Sequence, residues 1–199
     1  MTEPTTEPTT EPTTEPTTEP TTLRTDLIGL VARVGVDDVN VDDAVADEHV
    51  RSAVYRRVVE ATADAASRED DRVVVATILR DPVESVSRTA VVDLVDRIAT
   101  GATDAAWFRR WAAELQPVLD ELRSEGNREF LRRRVRDRVF WLSIKDGRTP
   151  VPADLGDVTD WMQRLLADES TSLPVLTEHG STRKIRNVAK HRAGRGQQP

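Results

Sequence analysis

The chain has no cysteine among its 199 residues. That excludes a disulfide framework, a Cys-ligated zinc site, an iron–sulfur cluster and a cysteine nucleophile, and it suits a reducing compartment. Long apolar runs are also missing. Stretches such as Val73-Val74-Val75-Ala76 fall far short of the roughly 20 residues needed to cross a bilayer, so no membrane partner is expected. The opening Met-Thr-Glu-Pro has neither a basic n-region nor an apolar h-region, so export is not expected and a cytoplasmic location is. Lysine is scarce: 25 of the 28 basic residues are Arg, and only Lys145, Lys184 and Lys190 break the pattern. This bias, with Asp exceeding Glu, reads as a genome or salt signature rather than as mechanism. The nine glycines stand singly, and no G-x-G-x-x-G, G-x-x-x-x-G-K-[ST] or G-x-S-x-G run occurs. The three histidines, His49, His179 and His191, are far apart and form no HExxH pair.

What is present divides into three. Residues 1–22 carry five Glu and no base, residues 23–178 carry a net charge of −8, and residues 179–199 carry six bases and no acid. From Glu3 to Thr22 the chain repeats Glu-Pro-Thr-Thr five times with no apolar side chain to bury. Proline at every fourth position and mutually repelling glutamates predict a disordered acidic tail of polyproline-II character. Between these ends the apolar fraction rises to about 45%, the usage of an ordinary globular core. One helical core domain over 23–178 and a basic C-terminal segment over 179–199 are expected.

Apolar residues in the core recur at three and four, which predicts an all-α fold, either a compact helical bundle or a short helical stack. Leu23, Leu27, Leu30, Val31 and Val34 form one stripe ended by Gly35. Val50, Val54, Val58, Ala61 and Ala65 form a second, capped by Asp47. Arg72 to Arg80 holds three consecutive valines but finds no second strand-like run, and is read as helix. Asp81 as cap and Pro82 at the first helical position then open a helix that runs to Gly101. Trp107 to Leu122 predicts a helix stopped near Gly126, and Phe130 to Leu142 another that ends at Lys145-Asp146-Gly147. Pro150 and Pro152 mark a loop, and a shorter helix lies around Val158 to Ala167.

Residues Arg72 to Ala99 resemble one unit of the HEAT-repeat family, on Asp81, Pro82, Val86, Arg88, Ala90, Leu94 and Ile98. Arg51-Ser52-Ala53-Val54 aligns with Arg88-Thr89-Ala90-Val91 at an offset of 37, which puts Val58 on Val95. Ser87 separates Val86 from Arg88 where the family joins Val and Arg directly, and the earlier segment lacks the Asp-Pro turn. The resemblance covers about residues 23–100. It implies helix pairs that bury their apolar faces by stacking, and a protein-binding scaffold without chemistry of its own.

Three charged features remain. Asp37 to Glu48 puts Asp38, Asn40 and Asp42 at the first, third and fifth positions of a calcium loop, but Asp43 takes the glycine position and His49 that of the bidentate Glu, so it reads as a linker and helix cap. Arg128, Arg132, Arg133, Arg134, Arg136 and Arg138 flank an apolar stripe in several directions, which reads as stems covering core edges with heads meeting aspartates. The C-terminal segment reads as a helix from Leu173, a turn at Gly180, a Ser181 cap and a basic helix to Arg195, similar to a helix-turn-helix. In that arrangement Thr182, Arg183, Arg186 and Asn187 would face base edges and Lys190 and Arg192 would touch phosphate, with Lys184 adding to the positive charge of the binding segment. The first expectation is a non-enzymatic adaptor or regulatory protein that needs no cofactor. The alternative is a nucleic-acid-binding regulator using the C-terminal segment.

Overall fold

A computed structural model describes residues 20–195, all-helical throughout, with no strand among them. The acidic repeat up to Glu19 lies outside the described residues. The helices are α1 (Pro20–Val34), α2 (Val41–Ala46), α3 (Glu48–Asp64), α4 (Asp71–Leu79), α5 (Glu84–Gly101), α6 (Ala105–Leu119), α7 (Glu125–Lys145), α8 (Asp154–Asp157), α9 (Asp160–Leu166), α10 (Leu173–His179) and α11 (Arg183–Arg195). None is long and apolar enough to cross a membrane.

Helix starts follow the capping residues. The side chains of Asn40, Asp47, Asp104, Ser124 and Thr159 accept backbone N–H groups in the first turns of α2, α3, α6, α7 and α9. The expected tail ends sooner than residue 22. Pro20 opens α1, where its missing N–H costs nothing, and the Thr25 hydroxyl donates to the Thr21 carbonyl at 2.9 Å. The valine run is helical as α4, with Val74, Val75 and Ile78 inside and Val73 at the surface. Residues 41–46, read as part of a linker, form α2, and Ala44 is its buried anchor.

Two expected boundaries are corrected. Gly126 does not stop α6; α6 closes at Leu119, and Gly126 sits in the first turn of α7 behind the Ser124 cap. Nor does Asp81 cap α5, which starts two residues later than expected, at Glu84. The Asp81 carboxylate is taken by α3 instead. It accepts from Arg51 Nε at 2.6 Å and from the Tyr55 hydroxyl at 2.8 Å, and holds its own turn through Val83 N–H at 2.8 Å.

The helices pack in two rows. α3 lies against α5 and α5 against α7; α4 lies against α6, with α1 closing the near end on α2, α3 and α4. Successive pairs, α4 with α5 and α6 with α7, join the rows. Leu27, Val58, Val59, Val75, Ile78, Val91, Leu94, Phe108, Leu115 and Leu131 fill the space between them. α9 continues from α7, and α10 and α11 pack on one another with α11 against α9.

Buried polar groups tie neighbouring helices together. Trp111 Nε1 donates to Asp71 at 2.8 Å, joining α6 to α4. Asp137 on α7 accepts both the Thr159 amide and its hydroxyl. Burial pushes both carboxyls above the usual aspartate range, against the lowering effect of these donors. The same burial, reinforced by Asp81, raises the Tyr55 phenol well above its usual value.

Asp81→Ala leaves the Arg51 guanidinium buried without its counter-charge, and is expected to cost about 3–5 kcal/mol in urea unfolding followed by tryptophan fluorescence. Tyr55→Phe leaves Arg51 and Val83 still holding the carboxylate and should cost about 1 kcal/mol in the same assay. Asp71 has a folded-state pKa above its unfolded one, so its contribution is full below the unfolded value, near 3.9, and is lost as pH rises through the folded value. Asp71→Asn keeps an acceptor for Trp111, so its stability relative to the parent should improve between pH 4 and pH 7.

Candidate nucleic-acid interface

The C-terminal segment is a docked helix. Ile185 and Ala189 of α11 are completely buried, beside Leu176 of α10 and Met162 and Leu166 of α9 in the same core. Val188 packs on its margin. The turn between α10 and α11 is held from below by Gln163, a buried side chain that donates to the Leu155 carbonyl at 2.9 Å and accepts from Ser181 N–H at 2.9 Å. The Ser181 hydroxyl donates to Asp160. The true cap is therefore the next residue: Thr182 Oγ1 accepts from Ile185 N–H at 3.2 Å.

Gly180 is required by close approach, since its φ of −52° is open to any residue. A Cβ there would stand 2.7 Å from the Leu176 carbonyl oxygen and 2.9 Å from Ile185 Cγ2. The turn thus fixes how α11 is presented.

This docking sorts the residues expected to bind. Arg183, Lys184, Asn187 and Lys190 are exposed, and the 100° helical step places them on one face, opposite Ile185 and Ala189. The other three are removed from it. Thr182 spends its hydroxyl on the cap. Arg186 turns back, half-buried, and donates to the Gly180 carbonyl at 2.6 Å. Arg192 pairs with Asp168. Two exposed residues join the face instead, His191 and Arg195. Their signal was present in the spacing, since Arg183, Asn187, His191 and Arg195 recur every four residues.

α11 carries no carboxylate, and among the described residues its four exposed cations, Arg183, Lys184, Lys190 and Arg195, make no ion pair. The arginine-rich α7 is the opposite case. Arg128, Arg132, Arg136 and Arg138 meet Glu125, Asp120, Glu129 and Asp96 at 2.6–2.8 Å, and Arg133 and Arg134 reach Glu129 and Asp96 at 3.7 and 3.6 Å. Arg134 also lies over the Trp161 ring, 3.6 Å from its centroid. The α7 arginines are thus bound within the molecule, as stems and ion pairs. In the Asp37 to Glu48 stretch, Asn40 and Asp47 serve as caps and Asp42 pairs with Arg24 at 2.8 Å. Among the described residues no group of three or more potential metal ligands comes together.

Gly180→Ala should lower stability by about 1–3 kcal/mol in thermal unfolding, because the added methyl group must push aside backbone rather than a flexible side chain. Gln163→Leu should cost about 1–3 kcal/mol by leaving the Ser181 amide and the Leu155 carbonyl without partners. No protein-family model, curated protein or solved structure matches this chain.

Proposed function

We propose that the protein is a non-enzymatic interaction protein of the cytoplasm. Its helical body acts as a protein-binding scaffold, and its C-terminal helix binds nucleic acid. The observation that carries the nucleic-acid half is the α11 face, where Arg183, Lys184, Asn187, Lys190, His191 and Arg195 stand exposed together with no acid between them. In a chain of net charge −7, such a face confines attraction for a polyanion to one end of the molecule. Arg183, Lys184 and Asn187 lie at the N-terminal end of a helix that a helical hairpin holds out to solvent, the end that reads base edges in helix-turn-helix proteins. The scaffold half is supported by the paired helices stacked in two rows, the arrangement that the HEAT-like resemblance over about residues 23–100 implies. The absence of cysteine supports a reducing compartment.

The test is fluorescence polarisation with labelled random duplex DNA and RNA over a salt series. Removing α11 outright would strip Ile185 and Ala189 from the core, so charge reversal of exposed residues is the cleaner comparison. Four phosphate contacts predict a slope of log K against log salt of about −3 to −4 for duplex DNA. Arg183→Glu with Lys184→Glu, and Lys190→Glu alone, should each weaken binding and flatten that slope, with stability unchanged within about 0.5 kcal/mol. Asn187→Ala should change sequence preference with little change in the slope. Absence of binding at low salt would overturn the nucleic-acid reading.

A further inference from the structure

The α6 and α7 surfaces enclose an open groove of about 580 Å³. Its floor is apolar, formed by Ala112 and Ala113 of α6 and by Val135, Val139 and Phe140 of α7. Around it stand Arg109, Arg136 and Arg148, and no carboxylate lines it. Both walls have helical spacing. Residues 109, 112, 113 and 116 form one wall and residues 136, 139, 140 and 143 the other, each set at i, i+3, i+4 and i+7 over two turns, about 10 Å of helix.

The groove lies where the α4–α6 row stops. α6 has α4 on one side, and the next helix after α7 in the chain is the four-residue α8, too short to continue the row. Alanines on the floor leave room for the bulky apolar side chains of an incoming helix. Of the three arginines, Arg109 has no ion pair among the described residues. Arg136 and Arg148 hold Glu129 at 2.7 Å and Asp154 at 2.6 Å, and Arg148 also lies over Phe140.

We propose that this groove is a docking site for an amphipathic helix of a partner protein, with apolar residues at i, i+3, i+4 and i+7 and Asp or Glu along its flanks. Such a helix continues the α4–α6 row and sets its carboxylates against Arg109 and against the guanidinium N–H groups that Arg136 and Arg148 do not spend, through Nη2, on Glu129 and Asp154. The acidic repeat of this chain meets only half of the requirement, since it offers carboxylates and no apolar residue for the floor. The inference rests on the scaffold half of the proposed function and is independent of nucleic-acid binding.

The experiment uses the full chain and two fluorescein-labelled, hydrocarbon-stapled 16-residue helices. One carries Leu at the four apolar positions and Glu on the flanks; the other has Lys in place of every Glu. The Glu helix should bind at least tenfold more tightly than the Lys helix. Ala113→Trp, at an exposed position, fills the groove and should weaken the Glu helix at least tenfold while DNA binding at α11 stays unchanged. Arg109→Glu with Arg148→Glu should reverse the preference between the two peptides. The α11 variant Arg183→Glu with Lys184→Glu should bind the Glu helix as the parent does, which separates groove docking from attraction to the basic face. Equal binding of the two peptides would overturn the proposal, as would indifference to Ala113→Trp. A concentration-dependent dimer in sedimentation that Ala113→Trp abolishes would assign the groove to a second copy of this chain instead.

Discussion

One buried carboxylate holds three parts of the molecule in register. Asp81 lies at the α4–α5 turn, yet its oxygens are taken by Arg51 and Tyr55 of α3 and by the Val83 amide. The Arg51 guanidinium also donates to the carbonyl of Ala44 at 2.8 Å, so the closing turn of α2 hangs on the same group. Apolar faces at three-and-four spacing slide against each other with little change in buried area, whereas a desolvated ion pair has one geometry in which both charges are satisfied. The network thereby fixes how α2, α3 and the α4–α5 turn meet, and the row of α5 and α7 is laid down from there.

The rest of the charge distribution follows a similar economy. The body is acidic, and most of its arginines close onto carboxylates, including all six on α7: Arg132, Arg134 and Arg138 reach Asp120 and Asp96 beyond their own helix, and Arg128, Arg133 and Arg136 pair within it. Exposed pairs of this kind add little stability one by one, but they neutralise the surface. Against that background α11 differs in kind. Its buried side supplies the docking, Arg186 and Arg192 are spent on neighbouring groups, and the remaining cations face water together. The proposed separation of scaffold from nucleic-acid face comes from this contrast rather than from total charge.

Much of this architecture was legible in the sequence. The stripes of Leu23 to Val34 and Val86 to Ile98 report their helices directly, because burial on one side forces the period, and Val54 and Val58 do so for α3, although Val50 at the start of its stripe is exposed and Ala65 at the end lies beyond the helix. Even the valine-rich α4 could be assigned, since a strand without a partner cannot satisfy its backbone. The misreadings have several causes, and competition from residues far along the chain is one of them. Asp81 looked like a cap beside Pro82; it does accept the Val83 amide, but Arg51, 30 residues earlier, and Tyr55 take the rest of the carboxylate, and α5 starts only at Glu84. Gly126 looked like a stop, but Ser124 caps around it and Asn127 donates to Glu84 at 2.7 Å, so a glycine in a first turn is tolerated. α2 was hidden because six residues with a single buried alanine carry too little periodicity. Of the site, the segment and most of its exposed residues were readable. Local hydrogen bonds decided the others, Thr182 by capping and Arg186 by reaching back to Gly180.

The Gln163 bridge bears on how the chain matures as it is synthesised from its N-terminus. Its carboxamide needs Leu155, already made, and Ser181, still to come, and α9 is covered by Ile185 and Ala189 only when α11 arrives. While residues up to about 180 have emerged, Met162, Leu166 and Leu176 lack their cover and a polar group waits inside the future core. The nascent chain therefore passes through a stage with an exposed apolar end after α1 to α7 can already pack, the stage at which chaperone capture or clumping of neighbouring chains is most favoured. The helix proposed for nucleic-acid binding is also the lid that ends this exposure, so its basic face is presented only once α9 and α10 are covered.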